Sequence, residues 1–176
     1  MIWFVSDWHF GATSILTHQP KREEAFGGVD AMDEWLITEA NRVIKRSDEL
    51  YFLGDFCWKA SRAGHYRQRL KVRRFHVCLG NHDSASLINH TSMSGLMLFR
   101  KFQGHHFHLS HYPIFSWNRM YSGGYHLYGH GHGKYEKQLD EVCPSHRSMD
   151  VGVDNIHRLT DEWRPISLDE VLERLN

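Results

Sequence analysis

The chain sets short apolar runs beside longer amphipathic stretches. IWFV at residues 2–5 is an unbroken apolar run that ends at a polar SDWH segment, and it predicts a buried first strand. From 30 to 46, DAMDEWLITEANRVIKR brings Met32, Leu36, Ala40 and Val43 near one helical face, with Asp30 placed to cap the amino end. LYFL (50–53) and FHVCL (75–79) predict two further strands, with a basic helix over 61–71 between them. Residues 96–102 and 105–109 read as a two-strand hairpin turning at Gly104, and short strands follow near 125–128 and 148–153. The last element, SLDEVLERL, opens with Ser167 and carries Glu170 three residues later, a capping box, with Leu168, Val171, Leu172 and Leu175 on one face. The loops at 12–29 and 112–124 carry no comparable pattern. Strands that first alternate with helices and then follow one another predict layered α/β sheets rather than a helical bundle or a simple all-β sandwich.

Composition narrows this. A chain of 176 residues, 41% of them hydrophobic, supports one sizeable core, so residues 1–176 are expected to form a single domain. Lys plus Arg and Asp plus Glu are each 21, so there is no global basic field and any anionic partner must be attracted locally. Cys57, Cys78 and Cys143 are odd in number and in no C-x-x-C arrangement, which argues against a disulfide framework and a thiolate zinc site and fits a reducing cytoplasm. The apolar run before Asp7 is too short for a membrane span and has no basic region ahead of it, so no signal peptide is expected.

The anomaly is the 15 histidines. Ten of them (His18, His65, His76, His90, His105, His106, His108, His126, His146 and His157) stand in polar or alternating settings and read as ordinary surface or half-buried residues. The other five lie in short Gly, Asp or Asn contexts. Asp7 and His9 follow the first strand, Asp55 the second (LGDF), and Asn81, His82 and Asp83 the third (LGNHD). His111 ends HFHLS, and His130 with His132 follow HLY in YGHGHGK. Each cluster lies just past the carboxyl end of an apolar strand, the edge at which loops from several strands converge on ligand sites.

Two Asp, one Asn and four His without a Cys make a mixed oxygen and nitrogen donor set, suited to Mn, Fe or Zn in an open catalytic site. Seven candidate ligands exceed what one ion usually takes, whereas two ions sharing a carboxylate would use them all and leave room for water. Gly129, Gly131 and Gly133 would let His130 and His132 ride a turn of unusual backbone geometry, with nothing bulky in the way. A lone D-x-H or G-D is common by chance; all five segments in this order are not.

The order D-W-H, G-D, G-N-H-D, S-H, G-H-G-H resembles the calcineurin-like metallophosphoesterase superfamily. VSDWHFG, LGDF, LSHYPIFSW, HLYGHGHG and DVGVDN resemble its small single-domain bacterial and phage members, over residues 1–170 or so. The resemblance implies a four-layer α/β fold, two mixed β-sheets packed face to face with helices outside, and a binuclear metal centre that hydrolyses phosphate esters. On matching positions it implies that Asp7, His9 and His132 hold one ion, that Asn81, His111 and His130 hold the other, and that Asp55 bridges them. His82 would contact the phosphate and assist the leaving group, oriented by Asp83. One departure stands out: many short members have a histidine just after HFG, where this chain has Ala12. That position is expected near the substrate rather than on a metal, so the departure leaves the centre intact and the substrate class open.

Two cations sharing a water lower its pKa and clamp the attacking and leaving oxygens, while an imidazolium at His82 stabilises phosphoryl oxygens or protonates the departing alkoxide. The leading expectation is a phosphodiesterase acting on a nucleotide, a cyclic nucleotide or a nucleic-acid end, with two divalent ions, Mn ahead of Fe, Zn, Ni or Mg. A phosphomonoesterase with the same centre is the nearest rival, and a non-catalytic binding or scaffold protein on this fold is a second. A nucleic-acid-binding module using Arg62, Arg67, Arg69, Lys71, Arg73 and Arg74 is a third, although such a run is more often a solvated helix face. Trp58, Tyr112, Trp117 and Tyr121 lie near motif residues and either stack on a base or pack the rim. His106 and His108 share one face of their strand, leaving His111 alone at its end.

Overall fold

In the computed structural model, which describes every residue except 143 and 145, two β-sheets lie face to face and share one functional edge. The strands are β1 (Ile2–Val5), β2 (Glu49–Phe52), β3 (Arg74–Cys78), β4 (Met93–Gly95), β5 (Met97–Phe102), β6 (His105–Ser110), β7 (Tyr125–Tyr128), β8 (Arg147–Asp150) and β9 (Ile166–Ser167). Between and after them run α1 (Ser14–His18), α2 (Pro20–Phe26), α3 (Val29–Val43), α4 (Ala63–Arg69), α5 (Glu136–Val142), α6 (Val153–Thr160) and α7 (Leu168–Leu175). The five-stranded sheet has the order β4-β3-β2-β1-β9, parallel except for antiparallel β9. The four-stranded sheet has the order β5-β6-β7-β8, with β5 antiparallel and the rest parallel. Both are therefore mixed, as the resemblance implies.

The largely apolar character of β1 to β3 follows from burial on both faces, with His76 of β3 stacked 4.5 Å from Tyr51. On the face toward the second sheet, Phe4 lies 5.9 Å from Phe102 and 6.1 Å from Phe107, and Tyr51 lies 5.2 Å from Phe102. On the opposite face Phe52 meets Trp8 and Phe56 at 5.0 and 5.1 Å, and the buried stripe of α3 is Met32, Leu36, Ile37 and Ala40. Beyond the strand ends the sheets are sewn together: Ser6 N–H donates to Val151 O at 3.0 Å, and Val153 N–H donates to Ser6 O at 3.1 Å.

The hairpin turns as expected, with Gln103 and Gly104 both left-handed (φ 47° and 87°) between paired Phe102 and His105, the two-residue geometry that matches strand twist. The capping box at Ser167 and Glu170 is present. Other boundaries differ. Helix α3 starts at Val29 with Gly28 as N-cap, so Asp30 sits in the first turn, where its charge meets the positive helix end, and the helix stops at Val43 rather than 46. The basic helix is a 3-10 turn at 60–62 followed by α4. The strand expected to reach 153 ends at Asp150. Its continuation leaves β7 to bridge Ser6, and Val153 and Ile156 then become buried at helical spacing in α6.

Much of the basic run serves the fold. Arg67 donates to the carbonyls of Leu70, Val72 and Arg73 and lies over the Phe75 ring, Arg69 pairs with Glu34, and Arg74 pairs with Glu49. Cys57 and Cys78 are buried free thiols, and Cys143 lies outside the described residues. Among the described residues no helix is long and apolar enough to cross a membrane.

Candidate metal centre

Every candidate ligand follows a strand end: Asp7 and His9 after β1, Asp55 after β2, Asn81 after β3, His111 after β6, His130 and His132 after β7. The first three strands belong to one sheet and the last two to the other, so the joint carboxyl edge gathers them. Asp7, His9, Asp55, His130 and His132 all hold left-handed backbone, with φ between 48° and 65°. Such conformations cost non-glycine residues energy and persist only where the surroundings enforce them, which makes five at one edge a mark of function. The strained turn in YGHGHGK thus falls on the two histidines as well as on Gly133 (φ 79°). Gly129 contributes room: a Cβ there would strike Ser6 and the Asp7 carboxylate.

Three overlapping groups result, each with its ligand atoms within 4.8 Å of one another: Asp7, His9 and His132; His9, Asp55 and His82; Asp55, His111 and His130. Buried Asp55 is common to two of them. Its Oδ2 lies 3.5 Å from His9 Nε2 and 3.4 Å from His111 Nε2. Asn81 joins the last group, its Oδ1 3.0 Å from His111 Nε2.

The electrostatics fit a divalent cation. His9 Nε2 is buried and has no hydrogen-bond partner among the described residues, although it lies within 3.9 Å of Asp7 Oδ1. Burial lowers the His9 pKa to about 3, so its ring is neutral and its lone pair available. His111 Nδ1 donates to Leu53 O at 2.8 Å, which leaves Nε2 toward the carboxylates. Burial opposes charge on His111, but the hydrogen bond to Asp55 and the charges of Asp7 and Asp55 prevail and lift its pKa to about 9. Burial likewise opposes ionisation of Asp55, and His111 and His9 outweigh it, holding that carboxyl at about 2. Asp7 goes the other way, pushed up by burial despite nearby His132. The pocket therefore favours positive charge between its carboxylates, and its oxygen and imidazole donors suit a divalent cation.

A surrounding set of contacts fixes these ligands. His132 Nδ1 donates to Asp154 Oδ2 at 2.6 Å, which directs Nε2 to the centre. Asp154 is held in turn by the fully buried Arg22 through Nε to Oδ1 (2.8 Å) and Nη2 to Oδ2 (2.6 Å). The same guanidinium donates to the carbonyls of Asp7 (2.6 Å) and Trp8 (3.1 Å). Burial works against the Asp154 charge, and Arg22 outweighs it with help from His132, keeping the carboxyl well below its ordinary range. Asp150 accepts from Gly133 and Gly152 N–H at 2.8 and 2.7 Å, and burial, then the Asp7 charge, push it up to about 7.

Asp83 corrects an expectation. Its carboxylate accepts from the backbone N–H groups of Gly80, Asp55 and Phe56 at 2.9, 2.8 and 2.8 Å, clamping two loops together instead of gripping the His82 ring. His82 is positioned through its own N–H, which donates to Asp55 Oδ1 at 2.9 Å, and its exposed ring lies 4.8 Å from Trp58 and 5.3 Å from His9.

A cleft of about 310 Å³ opens beside His9, His82 and His132, walled by Trp58, His18 and Lys134. Tyr112 stands on the other flank, 4.5 Å from His130. Trp117 is buried, its Nε1–H on Gly124 O, and Tyr121 is exposed over a separate hollow with Met120 and Arg147. Ala12 is buried, and the wall near it is made by Ser14, Ile15 and His18 instead. Sequence reasoning missed Arg22 and took His18 for an ordinary residue. Asp150 and Asp154 were visible only inside the quoted segment DVGVDN. Arg22 carries no local signal, being one basic residue among charged neighbours in PKREEAF.

The model of the family described as calcineurin-like phosphoesterase matches residues 1–173. An uncharacterized protein of Methanocaldococcus jannaschii, MJ1445, is 27% identical over 98% of this chain and 89% of its own length. The crystal structure of AQ665 from Aquifex aeolicus, a protein of unknown function, superposes with a TM-score of 0.76 at 22% identity over 99% of this chain and 98% of its own, a likeness of fold. A novel archaeal phosphodiesterase aligns over 73% of this chain and 71% of its own, with a TM-score of 0.40 and 15% identity.

Proposed function

The chain belongs to the calcineurin-like phosphoesterase family, and from that premise we propose that it is a phosphodiesterase with two divalent cations, Mn foremost, acting as a single domain. Asp7, His9 and His132 hold one cation; Asn81, His111 and His130 hold the other; Asp55 serves both. The observation that carries this is Asp55 itself, a buried carboxylate whose one oxygen faces His9 on one side and His111 on the other. The cations supply the charge that acidifies a water and offsets negative charge gathering on the phosphoryl oxygens.

The chain's own residues do the rest. His132 is kept in the right tautomer by Asp154 and Arg22, and His111 by Leu53 O. In the reaction a bond forms from the water oxygen to phosphorus as the bond from phosphorus to the departing oxygen breaks. The attacking water gives up one proton to solvent, and the electron pair leaves with the departing oxygen. His82, exposed at the mouth and tied to Asp55 through its backbone, gives that oxygen a proton and regains one from solvent. Aromatic walls on both flanks, Trp58 by His82 and Tyr112 by His130, favour a phosphate bearing two substituents.

The test is hydrolysis of bis(p-nitrophenyl) phosphate beside p-nitrophenyl phosphate, with chelator-stripped protein and Mn, Mg, Zn or Ni restored. Metal-dependent turnover that favours the diester is expected. Preference for the monoester would make the protein a phosphomonoesterase, and no turnover with any metal would refute the hydrolase.

A further inference from the structure

The cleft beside the centre is built unlike the rest of the rim. One wall is the indole of Trp58, about half exposed and tilted 37° to the His82 ring. The lining also includes α1 and the residue after it, through Ser14, Ile15, His18 and Gln19. Exposed Lys134 also lines it, and its backbone N–H donates to Gly131 O at 2.9 Å, which ties the Lys134 main chain to the turn that carries His132. No Asp or Glu lines this cleft among the described residues. A flat ring, several donors, an ammonium and no carboxylate complement a group that is aromatic, hydroxylated and negatively charged. The volume, about 310 Å³, is near the lower end of small-molecule pockets, which begin at about 300 Å³. One nucleotide unit has that size, where an oligonucleotide does not.

The Tyr112 flank offers the contrast. Tyr112 lies against His130 and His111 and, among the described residues, is not part of the lining to which His18, Gln19 and Lys134 belong. The two substituents of a diester therefore meet different surroundings.

We propose that the cleft is a nucleotide subsite: one substituent of the diester lays its base on Trp58 and places a second phosphate of its own on Lys134 and His18. This rests on the two-cation phosphodiesterase reading. Stacking of a base on an aromatic side chain and a charge-assisted bond from lysine to phosphate supply the recognition. The phosphate on Lys134 is distinct from the one being hydrolysed, so the subsite selects substrates with two phosphates spaced by a nucleoside.

Binding and turnover both test it. By calorimetry on metal-restored protein, thymidine 3′,5′-bisphosphate is expected to bind about tenfold or more tighter than thymidine 5′-monophosphate. Lys134→Ala is expected to erase that advantage and His18→Ala to reduce it. Trp58→Ala weakens both ligands about tenfold, and Trp58→Phe recovers most of the loss. In turnover, the kcat/KM ratio of thymidine 3′-phosphate 5′-(p-nitrophenyl phosphate) to bis(p-nitrophenyl) phosphate falls about tenfold in Lys134→Ala, through KM, and holds in Tyr121→Ala. Equal binding of the two nucleotides, or an advantage that survives Lys134→Ala, would overturn the subsite while hydrolysis of the simple diester continued. Absence of hydrolysis of every ester with every metal would overturn the two-cation reading instead, and the subsite with it.

Discussion

His82 and Asp83 are neighbours in sequence with separate tasks, and the difference is measurable. His82 is exposed at the mouth, whereas Asp83 is committed to three backbone N–H groups. His82→Ala is therefore expected to lower kcat by about 10² to 10⁴ while metal content stays near the wild-type level. Metal analysis and rates on one preparation check this; a variant that purifies without metal, or one with full activity, would contradict it. Residue types and their positions after strands made the candidate ligands legible, since they stand in short polar segments that directly follow apolar runs. Their supports were not legible. Arg22 meets Asp154 across 132 residues, and nothing near either position announces the other. The Asp83 assignment failed for a related reason: proximity in sequence to His82 says nothing about which of the nearby backbone amides need an acceptor.

At the scale of elements, strongly patterned segments were readable and short ones were not. Strands β1, β2 and β6 and helix α7 carry their burial in the sequence, whereas α1, with five residues, and β4, with three, are too short to establish a period. Helix α6 was masked because MDVGV looks like a strand, and only the bridge to Ser6 shows where pairing stops. Helix α7 gives the clearest pH prediction. Glu170 accepts from Ser167 N–H at 2.9 Å and pairs with Arg164 at 2.7 Å. Burial raises its pKa, but Arg164 and Ser167 outweigh this and hold it at about 2, against an ordinary value of 4.5. The folded value lies below the unfolded one, so the stabilisation is complete above pH 4.5 and is lost as pH falls through about 2. Part of the pair is open to solvent, so Glu170→Gln should cost about 1 kcal/mol at pH 7, with the gap to wild type closing below pH 4.5. Denaturant unfolding across that range measures it; a gap that stays constant down to pH 2.5 would contradict the account.

For the whole molecule, the decisive fact is that two sheets end at one edge. The aromatic layer of Phe4, Tyr51, Phe102 and Phe107 sets the sheets against each other, and the Ser6 to Val151 and Val153 bonds join them next to Asp7. Sequence order alone located each ligand segment after a strand. It could not say that β6 and β7 lie in a different sheet from β1 to β3, because that depends on pairing between distant residues. The joint edge is what lets Asp55 of one sheet face both His9 of its own sheet and His111 of the other. The most direct measurement is the number of divalent ions per chain, by elemental mass spectrometry, for metal-restored wild type and Asp55→Asn, with diester hydrolysis assayed on the same samples. The account predicts two ions and turnover in the wild type, and loss of bound metal together with turnover in the variant. An Asp55→Asn protein that keeps two ions and its rate would contradict the shared carboxylate, and a wild type that turns over with one ion would contradict the pair.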